Sequence, residues 1–90
     1  MKTCKTYVEV SVSFDENGCM TPRTLTWEDG TRFEIDRILD VRPAPAQRGG
    51  GYGDRYTIRI GTQQSYLFFE RSPAPSGAQL GRWFVERKAF

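Results

Sequence analysis

From Tyr7 to Phe14 the chain alternates strictly, with Val8, Val10, Val12 and Phe14 on one parity and Tyr7, Glu9, Ser11 and Ser13 on the other. Successive side chains of a strand point to opposite sides, so a period of two marks a strand with one buried face. The pattern recurs along the chain. Leu25 and Trp27 alternate with Thr24 and Thr26, and Tyr56, Ile58 and Ile60 alternate with Thr57 and Arg59. Between Arg32 and Arg42, the residues Phe33, Ile35, Leu39 and Val41 share one parity. "SYLFFER" (65–71) and "RWFVERK" (82–88) are strand-like but apolar on both faces, and they bring the expected strands to six. No segment repeats apolar residues at i, i+3, i+4 and i+7 over several turns, so no helix is expected.

Register arithmetic tests the turns, because opposed residues of an antiparallel pair share a face. A two-residue loop at Asn17-Gly18 pairs Val10 with Leu25 and Val8 with Trp27, apolar against apolar. A two-residue loop at Asp29-Gly30 fails, because it sets Leu25 against Glu34. A three-residue loop, Glu28-Asp29-Gly30, pairs Leu25 with Phe33 and Trp27 with Thr31 instead. That solution needs Gly30 in the left-handed region, as in a type I turn followed by a G1 bulge.

The stretch from Arg32 to Arg42 would span about 36 Å if straight, at ~3.3 Å per residue, which is long for a domain of this size. A bend is expected at Asp36-Arg37-Ile38, where Arg37 falls on the apolar parity and Ile38 on the polar one. Long bent strands are how small barrels turn a corner. Residues 1–90 therefore read as one all-β domain. The expected fold is a small six-stranded antiparallel barrel or strongly bent sheet, SH3-like, with two long loops at 43–54 and 72–81.

Little in the chain suits catalysis. It has no His, the commonest general acid and base at neutral pH, and its cysteines, Cys4 and Cys19, have no evident base beside them. Two Cys without CxxC spacing offer neither a disulfide framework nor a zinc site, so reduced thiols and a cytoplasmic location are expected. Glu34, Asp36 and Asp40 share a parity with Arg32 and Arg42, which reads as a mixed-charge solvated face and not a cation site. "GGGYG" lacks phosphate-loop spacing. No catalytic residue, metal or cofactor is assigned, and the protein is expected not to be an enzyme. "MKTCKTYVEVSVSF" has no apolar signal region, and apolar runs as short as Leu67-Phe68-Phe69 are too brief for a membrane helix.

Binding is the better reading. Not all of the bulky residues in the last two strands fit inside so small a barrel. Tyr66, Phe68, Trp83, Phe84 and Phe90 are therefore candidates for a protein interface, with a homodimer as the simplest case. The alternative is a weak nucleic-acid interface. "QRGGGYGDRY" interleaves arginine and tyrosine with glycine, and Arg48, Tyr52, Arg55 and Arg59 are its candidate residues. The net charge of +2 does not by itself call for a polyanion, although ten of the thirteen basic residues are arginine.

The layout "V-x-V-x-V … P-x-x-L-x-W-x-x-G-x-x-F-x-I-x-x-I-L-D-x-R … R-Y-x-I-x-I … Y-L-F-F-E … G-R-W-F-V-E" resembles that of small uncharacterised bacterial all-β proteins. The carrying residues are Trp27, Gly30, Phe33, Ile35, Val41, Arg55, Tyr56, Gly81, Arg82, Trp83 and Val85. The resemblance implies a compact all-β barrel and carries no catalytic residues with it. Some similar-looking actinobacterial proteins lie beside translesion DNA polymerases, which implies an accessory role in DNA repair.

Overall fold

The alternating segments form strands in a computed structural model that describes residues 2–43 and 53–89. The strands are β1 (Lys2–Phe14), β2 (Met20–Thr26), β3 (Arg32–Glu34), β4 (Arg37–Pro43), β5 (Gly53–Ile60), β6 (Gln63–Ser76) and β7 (Gln79–Ala89). There are seven among the described residues, not the expected six, because the long third strand breaks at Ile35-Asp36. The break is a change of partner. The amide of Ile35 donates to the Arg23 carbonyl of β2, and the next amide, Asp36, donates to the Arg59 carbonyl of β5, both at 2.9 Å. Neighbouring amides of a strand point in opposite directions, so this switch is where the strand leaves one layer for another.

All pairings are antiparallel, in the order β3-β2-β1-β7-β6-β5-β4. The first and last members of that order are the two halves of the bent strand, so the sheet curls back to its starting point as a barrel-like shell. β1 makes the opposite corner. Its Lys2–Val8 half pairs with β7, and its Glu9–Phe14 half pairs with β2. Val8 therefore faces Trp83, not the Trp27 expected from the first hairpin. The outcome is a three-strand layer (β1 second half, β2, β3) packed on a five-strand layer (β4, β5, β6, β7, β1 first half).

The core lies between these layers. Leu25, Tyr56, Ile58, Leu67, Phe69 and Trp83 are buried there, flanked by Val8, Val10, Val12, Met20, Trp27, Ile35, Ile38, Ile60 and Val85. The Trp83 ring sits 4.9 Å from Phe69 and 5.2 Å from Tyr56, centroid to centroid. A buried side chain of Leu or Phe size contributes roughly 1.5–3 kcal/mol, so burial of this cluster is a substantial driving force for folding. Ile38 takes the inward position on β4 that parity assigns to Leu39. Leu39 is the extra residue of a bulge between Ile38 and Asp40, and it stays 45% exposed. Phe33 and Val41 also remain exposed at the edges of the two layers.

The turns follow from the glycines. Gly30 has φ +90°, Trp27 donates to the Thr31 carbonyl at 2.8 Å, and Leu25 faces Phe33, as expected of the three-residue loop. The first hairpin uses the same loop, which overturns the two-residue Asn17-Gly18 turn. Gly18 has φ +83°, its amide donates to the Asp15 carbonyl, and Phe14 faces Met20. A bulge at Arg23, opposite the step from Ser11 to Val12, then restores the Val10–Leu25 pairing. The expected loop at 72–81 is a continuation of β6 and β7 around a two-residue turn, Gly77-Ala78, with irregular register between Arg71 and Ser76. Pro73 and Pro75, which lack an N–H, interrupt the ladder there. Most of the 43–54 loop lies outside the described residues. Among the described residues no helix is long and apolar enough to cross a membrane.

Candidate binding face

The outward side of the five-strand layer is ordered by its ladders. One row of directly opposed residues runs Arg42–Arg55–Phe68–Phe84–Tyr7, from β4 through β5, β6 and β7 to β1. A second row runs Asp40–Thr57–Tyr66, and a third runs Arg37–Arg59–Gln64. Neighbouring side chains in one row are about 4.8 Å apart, within reach of one another. All of them point away from the core, because Ile58, Tyr56, Leu67 and Trp83 take the alternate, inward positions.

The β1–β7 end of this face is internally satisfied. Phe84 stacks on Phe68 at 5.0 Å and meets the edge of Tyr7 at 5.8 Å, with the Lys5 ammonium 4.8 Å from its centroid. Glu70 gathers the polar groups. Its carboxylate accepts hydrogen bonds from Lys5 Nζ at 2.8 Å, Tyr7 Oη at 3.0 Å and Arg82 Nη2 at 3.4 Å. The Lys5 hydrogen bond is the main reason that the Glu70 carboxyl is held below its ordinary pKa, against the opposing effect of burial. Arg82 lies 3.8 Å over the Tyr7 ring.

The β4–β5 end is different. Arg37 faces Arg59, and Arg42 faces Arg55, so two like-charged pairs stand directly opposed. Such pairs are destabilising. The Leu39 bulge creates this arrangement. Residues 37 and 42 have opposite parity, and only the extra residue between them puts both on the outward side. Arg42 bonds Asp40 at 2.6 Å, but among the described residues no carboxylate pairs with Arg37, Arg55 or Arg59. The Arg55 guanidinium lies 4.8 Å over the Tyr66 ring, and its Nε is buried without a hydrogen-bond partner.

The two sets of sequence candidates thus partly converge. Tyr66, 46% exposed, and the half-buried Phe68 share this face with Arg55 and exposed Arg59. Trp83 offers no surface, since it is 7% exposed and packs in the core. Phe84 points outward but is only 5% exposed, covered by Tyr7, Phe68 and Lys5. Arg48, Tyr52 and Phe90 lie outside the described residues. Sequence reasoning misses Tyr7, Lys5, Arg37, Arg42 and Arg82. Tyr7 has a signal, because its parity opposes Val8. Arg37 has none, because its side depends on the bulge.

Two acidic residues of the bent strand have structural roles. The Asp36 carboxylate accepts from the Gly61 amide at 2.6 Å, pinning the β5–β6 turn to the corner of that strand, and Asp40 is bonded to Arg42. Among the described residues no cluster of His, Cys, Asp and Glu is arranged to hold a metal. Cys19 is exposed and free.

Fold and face together define an all-β, antiparallel, barrel-like domain with an arginine- and tyrosine-bearing outer surface. Comparison with protein families, curated proteins and solved structures finds no match for the chain.

Proposed function

We propose that the chain is a non-enzymatic binding module and that the outward face of β4-β5-β6-β7-β1 is its docking surface. The observation that carries this reading is the cross-strand row Arg42–Arg55–Phe68–Phe84–Tyr7 with Tyr66 beside it. Tyrosine and arginine are among the residues that most often anchor macromolecular interfaces. The non-enzymatic part rests on a chain without His, the commonest general acid and base at neutral pH. The SH3-like class of the barrel and a cytoplasmic location belong to the same reading, supported by the antiparallel sheet that curls around one bent strand and by the two unpaired thiols expected from sequence.

Site-specific photocrosslinking tests the docking surface without assuming the ligand. A benzoylphenylalanine placed at Tyr66 is expected to give an adduct in living cells, while one at Glu34, on the other layer, gives none. Equal labelling at both positions, or none at Tyr66, would refute the reading. Protease or nuclease treatment of the adduct then reports which class of partner is bound.

Self-association is a second reading, favoured by the exposed Leu39 and Val41 on β4, the last strand of the hydrogen-bonded order. Edge strands with apolar side chains pair readily with a second copy. Sedimentation velocity over a hundredfold concentration range decides it. A dimer lost on Leu39→Lys supports it, and a monomer throughout removes it.

A further inference from the structure

We infer that the β4–β5–β6 part of the outward face binds single-stranded nucleic acid, with phosphates at the opposed arginines and bases on the Tyr66–Arg55 platform. This rests on the docking face proposed above and names its ligand class.

The charge pattern separates this half of the face from the rest. At the β1–β7 end Lys5 and Arg82 share the Glu70 carboxylate and lie over aromatic rings. At the β4–β5 end, among the described residues, only Arg42 of the four opposed arginines has a carboxylate partner, Asp40. Directly opposed like charges work against folding, and an anion between them removes the repulsion. A phosphate fits because guanidinium groups grip it through two parallel N–H donors. The two arginine pairs are four residues apart along β5, or about 13 Å, so a single small anion cannot serve both. A repeating anion can.

The rings decide between single strand and duplex. Tyr66 is directly opposite Thr57 and lies between the rows that hold the two arginine pairs. Its ring carries the Arg55 guanidinium at 4.8 Å, and both planar groups are surfaces on which an unstacked base can lie. Bases stacked inside a duplex cannot reach them. An arginine-lined track beside an exposed aromatic ring is the arrangement by which sequence-tolerant single-strand binders work. The Tyr7–Arg82 stack differs, because the Glu70 carboxylate bonds both the Tyr7 hydroxyl and the Arg82 guanidinium and neutralises the charge there.

Fluorescence anisotropy with labelled twelve-nucleotide DNA and RNA single strands, and with the matching duplex, tests the inference over a salt series. Binding of either single strand in preference to the duplex, weakening as salt rises, is expected. Arg37→Gln/Arg59→Gln should weaken binding about tenfold or more and lower the salt slope by about 0.7, the value for the one phosphate that this pair no longer neutralises. Tyr66→Ala should weaken it with the slope unchanged. The control Arg23→Gln/Arg32→Gln makes the same charge change on the other layer and should move neither quantity much. Circular dichroism confirms that each variant is folded. No binding at low salt, a duplex preference, or an equal loss in the control would overturn the inference. If a Tyr66 adduct forms in cells and is wholly nuclease-resistant, the docking face stands and its ligand class does not.

Discussion

Replacing Arg55 by methionine should make the protein more stable, although it removes a long side chain from the middle of an ordered face. Arg55 stands directly opposite Arg42, and relieving a like-charged cross-strand pair is worth roughly 0.2–1 kcal/mol. Its Nε is buried and makes no hydrogen bond, and an orphaned donor of that kind costs about 1–3 kcal/mol. Against these gains stands the loss of the cation over the Tyr66 ring, about 0.5–1 kcal/mol at a site of this exposure. Methionine keeps an unbranched apolar stem beside Phe68, so the packing contribution of the arginine stem is largely retained. The balance is a gain of about 1 kcal/mol or somewhat more, which in a domain of this size raises Tm by roughly 4–8 °C. Thermal unfolding followed by circular dichroism reads the shift directly. A second series at high salt separates the two gains, because the Arg42 repulsion is screened and the orphaned donor is not. A Tm lower than that of the parent protein at both salt concentrations would show that Arg55 holds the face together, and the reasoning would be wrong. The same variant should bind single strands less well, so stability and binding would move in opposite directions.

Three other outcomes follow from the geometry of the turns, the β6–β7 ladder and the Glu70 cluster. Gly30→Asn should lose less stability than Gly30→Val in a urea titration, since Asn tolerates the φ of +90° better than a β-branched residue does; equal losses would exclude the turn assignment. Gly81→Ala should destabilise by about 1–3 kcal/mol, because its Cβ would press on the Glu70 carbonyl and the Phe69 ring; an unchanged urea midpoint would mean that β6 and β7 do not approach so closely there. The Glu70 carboxyl is depressed in the folded state, so its contribution is present above the unfolded pKa near 4.5 and is lost as pH falls through the lower folded value. Glu70→Gln should therefore be less stable than the parent at pH 7 and closer to it at about pH 3, which acid-titrated thermal melts can check.

Alternation makes most of the fold legible in the sequence. The inward sets Val8, Val10, Val12 and Tyr56, Ile58, Ile60, the Glu28-Asp29-Gly30 loop and the corner near Asp36 all follow from parity and turn chemistry. Three kinds of feature escape it. Bulges at Arg23 and Leu39 shift parity without any mark in composition, which is why the Asn17-Gly18 turn and the side taken by Leu39 differ from expectation. Partner switching at Val8 and Glu9 depends on where a long strand meets β7, which no local pattern encodes. Strands apolar on both faces hide their orientation, and only the pairing of Phe69 with Trp83 and of Phe68 with Phe84 resolves it. The binding face is half legible for the same reason. Residue type alone points to Tyr66, Arg55 and Arg59, whereas their union with Arg37 and Arg42 is a product of the Leu39 bulge.

The order of the strands also bears on how the barrel assembles in time. Every hairpin joins segments that are neighbours in sequence, and such pairings close short loops quickly. The β1–β7 ladder is the exception, since it unites Val8 with Trp83 and Lys2 with Ala89. Its loop-closure entropy exceeds that of any hairpin, so it gains most by forming once the hairpins already exist. The seam should therefore zip last on folding and open first on unfolding. Substitutions at Thr6 and Val85 should then give φ-values near zero and act mainly on the unfolding rate, whereas values near one at both would place the seam in the folding nucleus.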